Sequence, residues 1–266
     1  MTNTIEASIK QKLREIEQAE DVRVILAVES GSRAWGFASP DSDYYVRFIY
    51  VRREEDYLRL NPPRDVIEWQ LDDVYDINGW DLQKALRLLH DSNPTVHEWC
   101  NSPIVYMESE LADPFRTLVQ RHFLPKPLMF HYVSMAERNC RAYLTGEEVK
   151  RKKYFYMLRP VLAARWVSER RSAPPMLFDQ LVESQLPGEL LPAVEELLAA
   201  KKETSELGTG AHVPELDAFM QEQITELRVL AEQEENKKNT WEELDAFFRM
   251  AVMKKYRRCE EIFTKR

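Results

Sequence analysis

Residues 24 to 51, VILAVESGSRAWGFASPDSDYYVRFIYV, constrain this chain more than any other stretch. Two apolar runs, 24–28 and 46–51, read as strands. Between them stand Gly31 and Ser32, and then Ser39, Pro40, Asp41, Ser42 and Asp43. A glycine in such a turn lets another group come close to the backbone, and the turn offers N–H groups to an anion such as phosphate. Acids at the start of the second strand are suited to a divalent metal. Side chains alternate along a strand, so positions 43 and 45 share a face and Tyr44 points away. The first of that pair is an acid; the second is Tyr45.

The surrounding pattern predicts an α+β first portion. Ile5, Ile9, Leu13 and Ile16 recur at helical spacing over 3–19. A strand follows over 21–28 with Val22, Val24, Leu26 and Val28 on one face, and Ser32 is placed to cap a short helix over 32–38. Runs 65–71 and 74–80 read as antiparallel strands turning at Asp72 and Asp73, and a helix from Asp81 carries Leu82, Ala85, Leu86 and Leu89 on one face. Asp76 sits inside an apolar strand that runs directly into that helix, with Glu68 on the neighbouring strand. The sequence Leu124-Pro125-Lys126-Pro127 breaks both helix and sheet, dividing the chain into domains 1–124 and 125–266. Beyond it the pattern is helical: 129–144, 147–171 with a kink at Pro160, 176–203, 213–235 and 240–264, with a loop at Gly208-Thr209-Gly210.

Composition narrows the function classes. A net charge of −8 argues against a generally basic nucleic-acid coat. Two local basic clusters remain, Lys150-Arg151-Lys152-Lys153 and Lys254-Lys255-Tyr256-Arg257-Arg258, which by themselves read as solvated helix faces. There is no apolar run of membrane-spanning length and no secretory signal, and Cys100, Cys140 and Cys259 are odd in number and widely spaced. The expectation is a cytoplasmic protein with reduced thiols. His90 and His97 are separated by Asn93-Pro94 and do not share a helix face, so they read as structural residues rather than metal ligands.

The Gly-Ser turn followed by acids on a second strand resembles the DNA polymerase beta superfamily of nucleotidyltransferases. The ordered set GSRAWGF, DSDYY, GWDL, Asn93-Pro94, Glu98-Trp99, Ser102-Pro103 and KYFYMLRPVLAARW narrows the likeness to the RNA-repair-pathway polymerase-beta family, over roughly residues 20 to 175. The resemblance implies a nucleotidyltransferase domain followed by an all-helical domain closing the nucleotide cleft. It implies transfer of NMP from an NTP to an acceptor hydroxyl, with RNA as the acceptor, assisted by two Mg²⁺ (or Mn²⁺) ions. By the same resemblance Gly31, Ser32 and Ser42 hold the nucleotide, Asp43 and Asp76 are two of three catalytic carboxylates that ligate metal, and Glu68 is the alternative third acid. Arg33 either adds charge at the triphosphate or pairs with Asp41 or Asp43. Lys153 and Arg159 of the helical domain either contact triphosphate or pair with the acidic first domain.

Tyr45 stands where the resemblance calls for the carboxylate that bridges both metals. A neutral phenol is a poor Mg²⁺ ligand at neutral pH, so the expected outcome is an impaired transferase. Two other readings stay open at this point: an antitoxin-like enzyme adding AMP to a partner protein, and a non-catalytic nucleotide- or RNA-binding module.

Overall fold

The structure is a computed structural model and describes residues 2–39, 42–71, 74–203 and 208–263. The Asp72-Asp73 turn, the side chain of Asp41 and the side chains of the basic cluster at 254–258 lie outside the described residues.

The chain opens with α1 (Thr2–Ala19), β1 (Arg23–Ser30) and β2 (Tyr44–Val51), then α2 (Glu54–Tyr57), β3 (Val66–Leu71) and β4 (Tyr75–Asp81). Next come α3 (Leu82–His90), α4 (Pro94–Cys100), β5 (Val105–Glu108) and α5 (Ala112–Arg121). The five strands form one sheet in the order β3-β4-β2-β1-β5, with β2 and β4 parallel and the other pairs antiparallel. Parallel pairing puts Tyr45 beside Asp76 and Arg47 beside Asn78.

Alternation along β2 divides the sheet. Val46, Phe48 and Tyr50 join Ile9, Leu13 and Ile16 of α1 in one core, while Ile49 and Val51 face α3, α4 and α5 in another. The predicted single stripe of β1 is broken: register shifts between Val24 and Leu26, so Val24 and Ala27 face α1 while Ile25, Leu26 and Val28 face the opposite layer. The helix predicted from Asp81 is α3, and Leu82, Ala85, Leu86 and Leu89 are all buried. Asp81 caps it, accepting from the Gln83 N–H at 2.8 Å. Each leucine so buried stabilises by roughly 1.5–3 kcal/mol. Gly79 is required by a close approach: a Cβ there would lie 2.2 Å from the Phe48 ring.

The remainder is α6 (Pro125–Tyr143), β6 (Glu148–Lys150), α7 (Lys153–Arg170), α8 (Phe178–Gln185), a 3-10 turn (Gly188–Leu190), α9 (Leu191–Glu203), β7 (Thr209–Ala211), α10 (Pro214–Gln233) and α11 (Glu242–Phe263). Helices α6 to α10 share a third core built on Tyr132, Tyr154, Phe155, Leu158 and Leu162. Helix α7 continues through Pro160. Two expectations are corrected. Thr209 and Gly210, expected in a loop, lie in β7, which pairs antiparallel with β6, and residues 148–150, expected to be helical, form β6. The proline-marked step at residue 124 coincides with the start of α6, yet α11 turns back and sets Leu244, Phe247, Ala251 and Val252 into the core of the first portion. Among the described residues no helix is long and apolar enough to cross a membrane.

Candidate functional site

The site lies at the start of β2 on the face carrying Tyr45 and Arg47. There the sheet is uncovered by α3 and approached by α7. Gly31 takes φ +73°, a left-handed conformation suited to glycine. The stretch after it is a series of turns, with Trp35 N–H to Gly31 O at 2.9 Å, Gly36 N–H to Arg33 O at 3.2 Å and Phe37 N–H to Ser32 O at 3.1 Å. The short helix expected over 32–38 is therefore absent; Gly36 at φ +85° prevents the chain from continuing in a right-handed helix. The turn instead drives Trp35 and Phe37 into the helical core, where Phe37 stacks on Phe155 at 5.0 Å.

Serines fasten the loop. Ser42 Oγ lies 2.9 Å from Ser39 Oγ and 3.4 Å from Ser32 Oγ, and it accepts from the Ser39 N–H at 3.0 Å. Arg33 donates from Nε to the Asp43 carbonyl at 3.2 Å and from Nη2 to the Ser42 carbonyl, and lies 3.8 Å over the Tyr44 ring. Its guanidinium thus clamps the approach to β2 through backbone oxygens rather than through the Asp43 carboxylate.

Tyr45 fills the centre. Its ring lies against the Gly-Ser turn, since a Cβ built on Gly31 would be 3.2 Å from Tyr45 Cδ2. Its hydroxyl donates to Asp43 Oδ2 at a long 3.5 Å. Burial first, and then the charges of Asp43 and Asp76, push the phenol above its usual pKa, with Arg47 opposing. The oxygen at this position is therefore protonated at neutral pH.

Asp76 is brought to the same face but is already engaged. Arg47 holds it in a two-pronged pair, Nη1 to Oδ1 at 2.9 Å and Nη2 to Oδ2 at 2.8 Å, and Nη1 also reaches the Asp76 carbonyl at 2.7 Å. Glu68 lies one strand further out, exposed and paired with Arg64 at 3.3 Å. Among the described residues no group of three or more His, Cys, Asp or Glu side chains is arranged to hold a metal ion. The two Mg²⁺ ions that the resemblance implies do not fit the side chains present: the bridging position is a protonated phenol, and a guanidinium covers the second carboxylate.

The helical residues separate into two groups. Lys153 opens α7 with Nζ 4.3 Å over Tyr143 and 5.3 Å over Tyr156. Tyr156 faces the site: after burial, the nearness of Tyr45, Tyr143 and Asp43 raises its phenol pKa above the usual value. Arg159 is buried. It donates to Glu98 Oε1 at 2.9 Å and stacks 4.5 Å from the Trp35 ring, so it supports the Gly-Ser loop from behind. His90 and His97 lie apart, His90 stacked on Trp241 at 3.7 Å and His97 buried 3.4 Å from Ser92 Oγ.

Three residues, Glu29, Tyr106 and Arg47, went unread in the sequence. Glu29, fully buried, takes the Tyr45 N–H at 2.9 Å and the Tyr106 hydroxyl at 2.5 Å, pinning the end of β1 to the start of β2. Burial raises its pKa, against those two bonds and Arg33. An acid just before a glycine reads as a strand terminator, and nothing local announces Tyr106. Arg47 did carry a signal, since it shares the face of positions 43 and 45 by alternation.

A family profile described as RlaP, RNA repair pathway DNA polymerase beta family, matches residues 5–250. The protein YcgL of Bacillus subtilis (strain 168) is 44% identical over 227 residues, spanning 85% of this chain and 87% of that protein. Among solved structures, a nucleotidyltransferase-like protein from Exiguobacterium sibiricum 255-15 is 14% identical, with 84% of this chain and 74% of that chain covered. Its TM-score is 0.31, a superposition too loose to bear on the site.

Proposed function

The chain belongs to the RNA repair pathway DNA polymerase beta family, and from that premise we propose that its cleft takes an NTP and presents it to an RNA hydroxyl, with NMP transfer held off by Tyr45. The general class, a nucleotidyltransferase of the polymerase beta type, follows from the family. The NTP, the RNA acceptor and the metal dependence are our reading.

One observation carries the proposal. The Tyr45 ring rests on Gly31, and its hydroxyl points to Asp43 beside a carboxylate already held by Arg47. Nucleotidyl transfer requires negative ligands for metal that neutralises charge on the phosphates and activates the attacking oxygen. This chain supplies the turn and two acids, then substitutes a protonated ring for the third. In this reading the Gly31 turn and the serine cluster bind phosphate, Tyr156 and Lys153 bound the nucleotide from the helical side, and Asp43 accepts a proton or a cation. Tyr45 crowds the space between them.

The test compares this chain with Tyr45→Asp. Each is incubated with each labelled NTP, Mg²⁺ and total RNA, and label on RNA and released pyrophosphate are followed. We expect the variant to label RNA and the parent to give less than about a hundredth of that, the scale of losing one preorganised charge at the reacting centre. Equal turnover in both would show that Tyr45 does not silence the site. A Tyr45→Asp protein that binds no NTP would refute the cleft reading itself.

A further inference from the structure

Lys150, Arg151, Lys152 and Lys153 join β6 to α7, and none of the four forms an ion pair among the described residues. Several arginines elsewhere are held by acids. Arg47 is spent on Asp76, Arg52 on Glu20, Arg116 on Glu108 and Asp113, and Arg159 on Glu98. Lys150 and Lys152 are exposed. Arg151 lies along β7, where a Cβ on Gly210 would meet its Nε at 2.6 Å.

Aromatic rings connect this basic turn to the cleft. Lys153 bridges the faces of Tyr143 and Tyr156, Trp35 meets Tyr156 edge-on at 5.7 Å, and Tyr156 faces Tyr45 and Asp43. The order from the site outward is therefore Tyr45, Tyr156, Tyr143 and then unpaired cations on the rim. Cations that track a backbone, interleaved with rings on which bases stack, are the combination that single-stranded nucleic acid uses. A duplex would leave the rings idle, and an acidic peptide would engage only the charges.

We propose that this ridge seats a single-stranded RNA, with its phosphates on Lys150 and Lys152 and a base on Tyr143, leaving Lys153 and Tyr156 to the nucleotide. The choice of RNA rests on the acceptor reading above; the ridge itself rests on charge and geometry.

Fluorescence anisotropy with a short labelled single-stranded RNA tests it, using the full chain. Lys150→Gln/Lys152→Gln should weaken binding about tenfold and lower the salt slope by about 1.4, from ~0.7 per single-strand phosphate contact. Tyr143→Ala should cost about fivefold or more through lost stacking. Poly-glutamate and duplex DNA should compete poorly. Unchanged affinity in these variants overturns the proposal, and so does poly-glutamate competing as well as RNA at equal charge. NTP binding is measured on the same proteins and should be unaffected in Lys150→Gln/Lys152→Gln. A chain that binds RNA on the ridge but no NTP refutes the cleft reading and leaves the ridge standing; one that binds NTP but not RNA does the reverse.

Discussion

Arg159 and Arg47 each hold a carboxylate from another element, but in opposite surroundings. The Arg159–Glu98 pair is sealed between the two halves of the molecule, with side chains 4% and 17% exposed, and Glu98 also takes the Tyr132 hydroxyl at 3.0 Å. The Arg47–Asp76 pair stands at the open end of the sheet, with side chains 18% and 24% exposed. Water reaches both members of the second pair and screens it, whereas in the first it reaches only the Glu98 end and the Arg159 guanidinium is left to its partners. The difference teaches what each pair is for. The sealed pair fixes Trp35 and so the position of the Gly-Ser turn. The open pair, with water at both of its ends, is the less costly of the two to break.

The largest expected effect breaks the sealed pair. Glu98→Ala leaves the Arg159 guanidinium buried without its carboxylate and should lower unfolding free energy by about 3–5 kcal/mol in urea titration. A loss under about 1 kcal/mol would mean that water enters the seam and the contrast is wrong.

Next comes the pH response of His97, the neighbour of Glu98. Burial foremost, with His122 adding and Glu98 opposing, lowers its pKa from 6.5 to about 4. The unfolded chain therefore takes up this proton near pH 6.5 and the folded chain only near pH 4. The stability contribution is complete above pH 6.5 and is lost as pH falls towards 4, by about 3 kcal/mol in all. Asp81 works the other way, since burial raises its pKa from 3.8 to about 6 and acid then favours the folded form. The measurement is thus the difference between the parent and His97→Gln, which should shift by about 3 kcal/mol against the parent between pH 6.5 and 4. A flat difference would show that the imidazole is hydrated.

The smallest effect belongs to the open pair. Asp76→Asn should change stability by no more than about 1 kcal/mol while freeing Arg47. A cost as large as that of Glu98→Ala would place the cleft mouth in the same class as the seam.

Where the sequence was legible, periodicity was strong and local. The stripe of α3, the antiparallel pairing of β3 with β4 and the turn at Gly31 all follow from spacing or from a residue's conformational range. The β6–β7 pair escaped because each of its strands is three residues long, too short for alternation to register, and they lie nearly sixty residues apart. The turn at 32–36 looked like a helix start because Ser32 is a good cap, yet Trp35 and Phe37 gain more by entering the helical core. The ligand set at the site depended on register. That Asp76 lies beside Tyr45 is a property of parallel pairing between distant strands, and that Arg47 claims it is a property of one rotamer.

The return of α11 has a mechanical consequence. The chain passes from the sheet to the helical unit once at Leu124 and comes back once through 234–241, where Asn239 donates to the carbonyls of His90 and His122 at 3.0 Å each. Two bodies tied at two points of the backbone, and at a third where Trp35 and Phe37 of the Gly-Ser loop enter the helical core, do not come apart when any one of those ties opens.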